Sequence, residues 1–536
     1  MRSLSKSKGD KDMKKRVVSM LLCGILAMSM LAGCGGGDSE EAQKSKEAAQ
    51  GGTSQGGSDT FTYVLDADTG NTLNPLTADD RYGLSVCNVL YSPLYRMNTD
   101  GSIDYILAES IEPSEDGLTY TVKLKSGLKW SDGEALTADD VVFTYNAQME
   151  NGTALQVNGQ NITVTKVDDQ TIEFGLPAIS ANFTEVLAAE HFILPEHIFA
   201  DKGSFDINLL QDDVVGNGPY TLKEYQGGQH FQFEANPNYA LGEPSVKNVV
   251  YQIIEQSDTA SLSMQNGDVN AWVGLPDAIG PFEGNDSYNI TNYSEGRVAY
   301  VLLNQASADM QDKDYRTGIL KALNREEIMT AGYTSEEFYK IGYSFLPQDN
   351  QYYTDDLEKY DQNIDEAKEL TAGGPTTLQL TYMSSNAADG KMALAIQSEL
   401  KEIGITVEIN ALEPAAFSKE QYNKEESEYD ILIGGYVMGV DPYAYASLFV
   451  TGTDNLMKFN NPEVDELFAR GNATLDEEER QAIYTEVQQK VADDAIFYSL
   501  GTNLRTLVTS ANVGGLDEVK LVPIYTFGDL SKLTLK

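Results

Sequence analysis

The sequence predicts an α/β protein of two or three domains that follows an N-terminal export signal. The chain has 536 residues. Without residues 1–33 about 500 remain, which is too many for one hydrophobic core. From Val298 onwards, strand-like and helix-like segments alternate. Such alternation is typical of a domain with a mostly parallel sheet.

The first 33 residues have the pattern of a bacterial export signal. Basic residues 14–16 precede an apolar run over 17–31, which is short for a membrane span. The Leu-Ala-Gly-Cys sequence that ends at Cys34 resembles the lipobox of bacterial lipoproteins. That resemblance implies cleavage before Cys34 and lipidation of its sulfur. The alternative is an ordinary secretory signal with an incidental cysteine, and translation starts at Met1 or Met13.

Residues 35–59 are rich in Gly, Ser, Glu, Gln and Lys and predict a flexible spacer after the lipidated Cys34, so the linker region is 34–59. Its root-mean-square reach is about 25–30 Å. No later run is long and apolar enough to span a bilayer. We therefore expect a body on the extracytoplasmic face of the cell membrane of a Gram-positive bacterium, held there through the lipid anchor only.

The composition excludes several classes of partner. The formal charge is −44. Residues 34–536 carry −49, because the seven basic and two acidic residues of 1–33 are removed. Such a surface repels nucleic acid and anionic lipid headgroups. After processing, Cys87 is the only cysteine besides Cys34, so the body is predicted to fold without an internal disulfide.

The first half of the body contains several readable segments. Alternating hydrophobicity predicts strands, and a Thr followed three residues later by an acid predicts the start of a helix at Thr137. The predicted strands are 61–65, 118–124, 163–167, 171–176, 220–225, 230–235 and 249–254, and the predicted helices are 85–90, the one after Thr137, and 258–265.

The second half carries the strand–helix alternation. It predicts strands at 377–382, 405–409, 429–433 and 495–500, and helices at 387–403, 415–424, 461–473 and 476–494.

Several ordered motifs in this chain resemble those of the family 5 extracellular solute-binding proteins, which are the oligopeptide-, dipeptide- and nickel-binding components of ABC importers. Each motif is weak alone, and their order together with a lipobox makes the set specific. The stretches that carry the resemblance are Leu90–Tyr95, Leu107–Ser110, Asp116–Gly133, Thr137–Val141, Gly216–Tyr220, Asn236–Tyr239, Ile403–Gly404, Tyr429–Asp430, Asp441–Pro442 and Arg480.

The resemblance implies a two-lobe fold of the periplasmic-binding-protein type, with an extra subdomain inserted in lobe I. It divides the body into lobe I at 60–96, 213–298 and 501–536, an inserted subdomain at 97–212, and lobe II at 299–500. In such proteins the ligand binds between the lobes, a hinge closes, and the closed form docks on the permease.

The function implied by the resemblance is capture of peptides by a monomer that delivers them to ABC permease subunits with cytoplasmic ATPases. No enzyme activity, catalytic residue, cofactor or metal is implied. The alternatives are a surface receptor for a signalling peptide, a binder of another small solute such as a metal chelate or a sugar, and a secreted hydrolase.

The segment from Tyr429 to Tyr445 is the main candidate for contact with the ligand. Its sequence predicts a buried strand that leads into a loop, which is the usual ligand position in open α/β sheets. Tyr436 stands where peptide-binding relatives have an aromatic residue, and Met438 and Tyr443 lie in the same segment. The position of the expected acid falls within Val437–Val440, which holds none. This departure puts recognition of a free peptide amino-terminus in question.

Asp441 and Arg81 have two interpretations each, and Tyr82 is a further candidate beside Arg81. Asp441 either meets the ligand or caps a helix that begins at Pro442. Arg81, with Tyr82, either pairs with a ligand carboxylate or is a surface residue answering nearby acids.

Overall fold

A mixed sheet of eleven strands runs through the body of the protein. The computed structural model describes residues 59–536 apart from 70–72, 79, 151–154, 189–190, 201–213, 423–428, 453–454 and 456. The predicted signal 1–33, Cys34 and the spacer up to residue 58 lie outside the described residues. The strands follow the order Tyr220–Gln226, His230–Ala235, Asn248–Ile253, Thr60–Leu65, Ala271–Gly274, Phe497–Ser510, Tyr288–Leu303, Ile431–Tyr436, Thr377–Met383 and Thr406–Leu412, and Tyr339–Ile341 pairs with Phe497–Ser510.

Two long antiparallel strands, Tyr288–Leu303 and Phe497–Ser510, connect the two ends of this sheet. We call them the crossing strands. One end of the pair contacts Ala271–Gly274, and the other end contacts Ile431–Tyr436. The predicted lobe limits at 298/299 and 500/501 therefore fall inside continuous strands, and the domain limits stay a prediction.

The sheet of lobe I is covered on both faces, and successive side chains of a strand point to opposite faces. Phe61, Tyr63 and Leu65 alternate into one buried cluster, whereas Val64 points into a second cluster around Trp272. The helices of this part are Arg81–Leu90, Ser257–Asn266 and Leu516–Val519. Burial on both faces explains why these strands are rich in apolar residues.

Lobe II has the same construction. In the run Val298–Leu303, alternate residues enter two different cores: Ala299, Val301 and Leu303 pack on one face, and Val298, Tyr300 and Leu302 pack on the other. The helices of this part are Lys313–Ala322, Arg325–Tyr333, Ile364–Leu370, Ala387–Glu402, Pro414–Tyr422, Ala446–Phe449, Pro462–Ala473 and Glu477–Asp493, with 3₁₀ turns at Ala308–Met310, Glu336–Phe338 and Pro442–Tyr445.

The inserted subdomain has a separate core and a four-stranded antiparallel sheet. The strands follow the order Ala108–Pro113, Thr119–Leu124, Thr171–Gly175 and Thr163–Asp168. Its helices are Ala138–Glu150, Phe183–Ala188 and Glu196–Phe199. The longest of them begins with a reciprocal cap, in which Asp140 accepts the Thr137 N–H at 2.9 Å and Thr137 accepts the Asp139 N–H at 3.3 Å. The predicted helix start at Thr137 is confirmed.

Short paired strands complete the described chain, at Tyr95–Met97, Ile103–Tyr105, Gln156–Val157, Gln160–Asn161, Val513–Gly514, Leu521–Val522, Thr526–Phe527 and Thr534–Leu535, with a 3₁₀ turn at Leu530–Lys532.

Most predicted elements agree with the structure to within a few residues, and two of them show why a limit moves. The helix predicted from Ser85 begins at Arg81, because the Asp80 carboxylate accepts the backbone N–H groups of Tyr82 and Gly83 at 2.8 Å each. The strand predicted at 495–500 begins at Phe497 and continues to Ser510. The additional residues pair with strands of lobe I. The local pattern therefore predicts that a strand is present, but not that it connects the two lobes.

Candidate functional site

A cavity of about 680 Å³ lies between the two lobes. Lobe I contributes residues between Asn88 and Thr99 together with Lys520–Tyr525, and the inserted subdomain contributes Glu185, Ala188 and Phe192. Lobe II contributes the segments 347–350 and 437–440, and one crossing strand contributes Ser294 and Gly296. A volume of this size is in the range of small-molecule sites.

The walls of this cavity are mostly apolar. Val437 is 40 % exposed, which is unusual for a large aliphatic residue, and it faces the cavity beside Met438. Across from them, Leu521–Tyr525 presents an aliphatic and aromatic surface from lobe I. The arrangement can bury apolar ligand surface, while a few polar groups fix its orientation.

Arg96 contributes a cationic group to the lobe I wall. Its Nη2 donates to Asn88 Oδ1 at 2.7 Å, and none of the carboxylates that the structure describes forms an ion pair with it. Lys520, which also lines the cavity, pairs instead with Asp104 and contacts Asn98. Arg96 is therefore placed to meet an acceptor on a ligand.

Of the predicted loop candidates, Met438 lines the cavity and Tyr436 lies behind its wall. The Tyr436 hydroxyl donates to the Phe345 carbonyl at 2.6 Å, and its ring packs 5.6 Å from that of Tyr300 and 5.7 Å from that of Tyr445. Burial raises the pKa of Tyr436 well above its usual value. The structure thus places Tyr436 in the core of lobe II, beneath the loop that meets the cavity.

Asp441 is buried and has protein partners. Its carboxylate forms an ion pair with Arg480 at 2.7 Å and accepts the Tyr443 N–H at 2.9 Å, which caps the 3₁₀ turn at Pro442–Tyr445. Burial raises the pKa of Asp441, and the Arg480 guanidinium opposes that rise. The Tyr443 side chain lines a separate cavity of about 80 Å³, against Asn182 and Asn472.

Arg81 and Tyr82 lie where a crossing strand bends. The ladder between the crossing strands is interrupted from Ser294 to Val298, and Arg81 Nη2 forms an ion pair with Glu295 in that interruption. Glu295 also accepts a hydrogen bond from Asn503 Nδ2 at 2.8 Å. Burial would raise the pKa of Glu295, but the Arg81 charge and hydrogen bond hold it below its usual value.

On the lobe II side of the same bend, Arg297 Nη2 lies 3.3 Å from Asp389 Oδ1, and Gly296 between the two ionic residues has φ of +67°. The bend is therefore a short segment with ion pairs to both lobes. Tyr82 is half-buried near this bend, and burial raises the pKa of its hydroxyl.

The sequence does not predict the contact between Glu185 and the loop of lobe II. The Glu185 carboxylate accepts the backbone N–H groups of Val440 and Asp441, the latter at 2.7 Å. Burial and the nearby Asp441 raise the pKa of Glu185 to about 7. From the side of lobe II, Asn350 Nδ2 donates to the Val440 carbonyl at 2.6 Å and fixes the same loop.

No local signal marks Glu185, because its helix is six residues long and its partners follow 255 and 256 positions later. No local signal marks Arg96 or Leu521–Tyr525 either, because they line the cavity only once the two lobes face each other.

The described residues include no helix long and apolar enough to cross a bilayer. They also include no group of three or more His, Cys, Asp or Glu side chains placed to hold a metal ion. His197 Nε2, one of the few imidazoles of the chain, pairs with Asp132 at 2.9 Å.

Comparison with known proteins gives the family. The family of bacterial extracellular solute-binding proteins, family 5 (middle region), matches residues 103–456. The oligopeptide-binding protein AppA of Bacillus subtilis is 28 % identical over 522 residues, which is 90 % of this chain and 93 % of that protein.

Solved structures share the fold. The ABC transporter substrate-binding protein CtaP of Listeria monocytogenes superposes with a TM-score of 0.83 and 34 % identity, over 89 % of this chain and 99 % of that one. AppA of B. subtilis, solved in complex with a nonapeptide, gives a TM-score of 0.72 at 24 % identity, over 89 % of this chain and 99 % of that one.

These findings confirm the α/β, two-lobe architecture expected from the sequence motifs. Members of this family bind solutes and are not enzymes, so the hydrolase alternative is wrong. With a matching region that covers most of the chain and a cavity between two lobes, the protein belongs to the family 5 bacterial extracellular solute-binding proteins.

Proposed function

We propose that this protein is the membrane-tethered substrate-binding component of an ABC importer and that it captures peptides between its lobes. The observation that carries the proposal is the cavity of about 680 Å³, which is bounded by both lobes and floored by the bend in a crossing strand. A ligand in this position touches both lobes at once. It therefore stabilises the closed form by its differential affinity for that form.

A peptide suits the walls of the cavity. Its apolar side chains can pack against Val437, Met438 and Leu521–Tyr525, and its polar backbone can form hydrogen bonds with Asn88 and Arg96. Among the candidates from the sequence, Met438 contacts the ligand directly. Tyr436, Asp441 and Tyr443 support the loop from behind, and Arg81 with Tyr82 acts at the bend.

The direct test is to identify what the protein carries and what it does to it. Mass spectrometry of small molecules released from the purified protein should give peptides, and calorimetry with those peptides should give saturable binding without a converted product. Small-angle scattering should then show a more compact particle with peptide than without it. A consistent absence of peptide binding contradicts the proposal, and a cleaved or modified product does so as well.

The anchor and the delivery step are part of the same proposal. Lipidation at Cys34 supplies acyl chains that insert into the membrane. Each buried methylene group contributes about 0.8 kcal/mol to membrane binding, so two or more chains hold the protein stably there. Cys34→Ala should release the protein into the medium or leave it unprocessed. Unchanged membrane fractionation of that variant contradicts the anchor.

The choice between import and sensing needs a different observation. Genes for two permease subunits and two ATPases beside this one favour import, and their absence favours a receptor for a signalling peptide. A metal chelate or a sugar in place of a peptide is a third outcome, which the released ligand distinguishes.

A further inference from the structure

Glu185 brings a carboxylate from the inserted subdomain to the surface where a ligand meets lobe II. It lies in the helix Phe183–Ala188, and it lines the interlobe cavity. Its two oxygens accept the backbone N–H groups of Val440 and Asp441. The carboxylate is thus held in a fixed position by the loop that forms one wall of the cavity.

This carboxylate occupies the place of a side chain that the loop lacks. A Cβ atom at Gly439 would lie 2.1 Å from Glu185 Oε1, so the carboxylate fills the space where a side chain of residue 439 would begin. Only glycine allows so close an approach. The loop from Val437 to Val440 has no acid of its own, and Glu185 supplies one at the same point from another segment of the chain.

The Glu185 carboxylate forms no ion pair within the part of the chain that the structure describes. Only 9 % of Glu185 is exposed. Arg480, whose charge lowers the pKa of Glu185, is paired with Asp441. Each carboxylate oxygen accepts one N–H, which leaves further acceptor capacity on both. An ammonium group placed against this carboxylate favours its ionised form, because the opposite charge offsets the cost of burying it.

We propose that Glu185 is a specificity-determining residue that accepts the primary ammonium group of the ligand, which for a peptide is its free α-amino group. The inference rests on the proposed function, since it concerns which peptides the cavity takes. It also removes the difficulty raised by the missing loop acid, because the acid comes from the inserted subdomain instead of the loop.

The test offers the protein a mixture of peptides of three to nine residues with aliphatic and aromatic side chains, half with free α-amino groups and half N-acetylated. Retained peptides are quantified by mass spectrometry. The wild type should favour free over acetylated peptides by roughly 10- to 100-fold, the range for a hydrogen bond to a charged group. Glu185→Gln, which keeps the size of the side chain and an acceptor oxygen, should abolish this preference. Glu173→Gln, at an exposed position of the inserted subdomain's sheet outside the cavity lining, should leave it unchanged.

The outcomes separate the inference from the proposed function. Equal retention of both peptide classes by the wild type overturns the role of Glu185 and leaves peptide binding intact, and this arm does not depend on the folding of any variant. A Glu185→Gln protein that binds both classes more weakly but keeps the preference also overturns the role, since Glu185 then only joins the lobes. Retention of no peptide by the wild type overturns the proposed function and the inference together.

Discussion

The Asp441 carboxylate and the Arg480 guanidinium form an ion pair of 2.7 Å in which only 6 % of either side chain is exposed. Arg480 also donates from Nη1 to the Tyr352 hydroxyl and from Nε to the Gly471 carbonyl. The pair thus ties the loop after the strand Ile431–Tyr436 to the helix Glu477–Asp493. The loop that faces the cavity is fixed from behind by this ion pair.

Asp441→Ala should lower the free energy of unfolding by about 3–5 kcal/mol, because it leaves a buried guanidinium without its counter-charge and removes a cap. Chemical denaturation monitored by tryptophan fluorescence measures the change. The control is Asp355→Asn, which breaks an exposed ion pair with Lys359 of 3.1 Å and should cost less than about 0.5 kcal/mol. A fall in peptide affinity with unchanged stability would instead indicate that Asp441 meets the ligand.

Gly296 lies at the bend of a crossing strand, and its substitution tests whether this bend is the hinge. Its φ of +67° is shared by Gly284, which provides a matched control outside the bend. Either Gly→Ala change should destabilise the protein by about 1 kcal/mol through backbone strain. A Cβ at Gly296 would also lie 3.4 Å from Pro523 and 3.9 Å from Val437, whereas one at Gly284 meets nothing within 4 Å.

Gly296→Ala should therefore reduce the compaction that peptide causes in small-angle scattering and weaken peptide affinity several-fold. Gly284→Ala should leave both unchanged. Equal ligand responses of the two variants would show that the lobes close about another segment.

The elements of this fold could be predicted because each depends on neighbours in sequence. The alternation at 118–124 predicts a strand, and Thr137 with an acid three residues later predicts a helix start; the structure confirms both, with Tyr120, Val122 and Leu124 on the buried face of that strand. The α/β class and the family follow from such local patterns in order. The extent of the strand at Phe497–Ser510 was underestimated, because its second half pairs with lobe I.

The site was predicted less completely, because its contacts join distant parts of the chain. Arg81 was assigned either a ligand carboxylate or nearby acids, and its partner in the structure is Glu295, 214 positions away. Glu185 was not singled out, since its partners Val440 and Asp441 become neighbours only when the inserted subdomain meets lobe II. Local sequence patterns contain no information on which distant segments come into contact.

Variants of Met438 and Tyr436 distinguish a residue that contacts the ligand from one that supports the cavity wall. Tyr436→Ala should weaken peptide binding by about 1–3 kcal/mol, as loss of a buried aromatic residue does. It should also lower stability by about 3–5 kcal/mol, because the ring packs against Tyr300, Tyr445 and Phe497. Met438→Ala should weaken binding with a smaller loss of stability, since this side chain borders the cavity.

Calorimetry and thermal unfolding on the same preparations check both variants. Tyr436→Phe is the control, because it keeps the ring and loses only the 2.6 Å hydrogen bond to the Phe345 carbonyl, at about 1 kcal/mol of stability. Unaltered affinity of Tyr436→Ala would remove this residue from the site.

Glu399 gives the protein a pH-dependent stability that is separate from ligand binding. Only 7 % of it is exposed, and Oε2 accepts the Asn324 N–H at 3.0 Å, while Oε1 has no hydrogen-bond partner among the described residues. Burial, together with the charges of Glu327 and Glu402, raises its pKa from 4.5 to about 8. Between these two values the folded state holds a proton that the unfolded state has lost, so stability falls as pH rises through this window.

Glu399→Gln should therefore raise the free energy of unfolding by about 1–2 kcal/mol at pH 9, where the wild type must bury an ionised carboxylate. The difference should shrink as pH falls and vanish near pH 4.5, where both folded and unfolded wild-type chains hold the proton at this site. Urea denaturation of the two proteins from pH 4.5 to 9 measures the change. Glu466→Gln, at an exposed helix position, should show no such trend. A stability difference for Glu399→Gln that is constant with pH would contradict a raised pKa at this position.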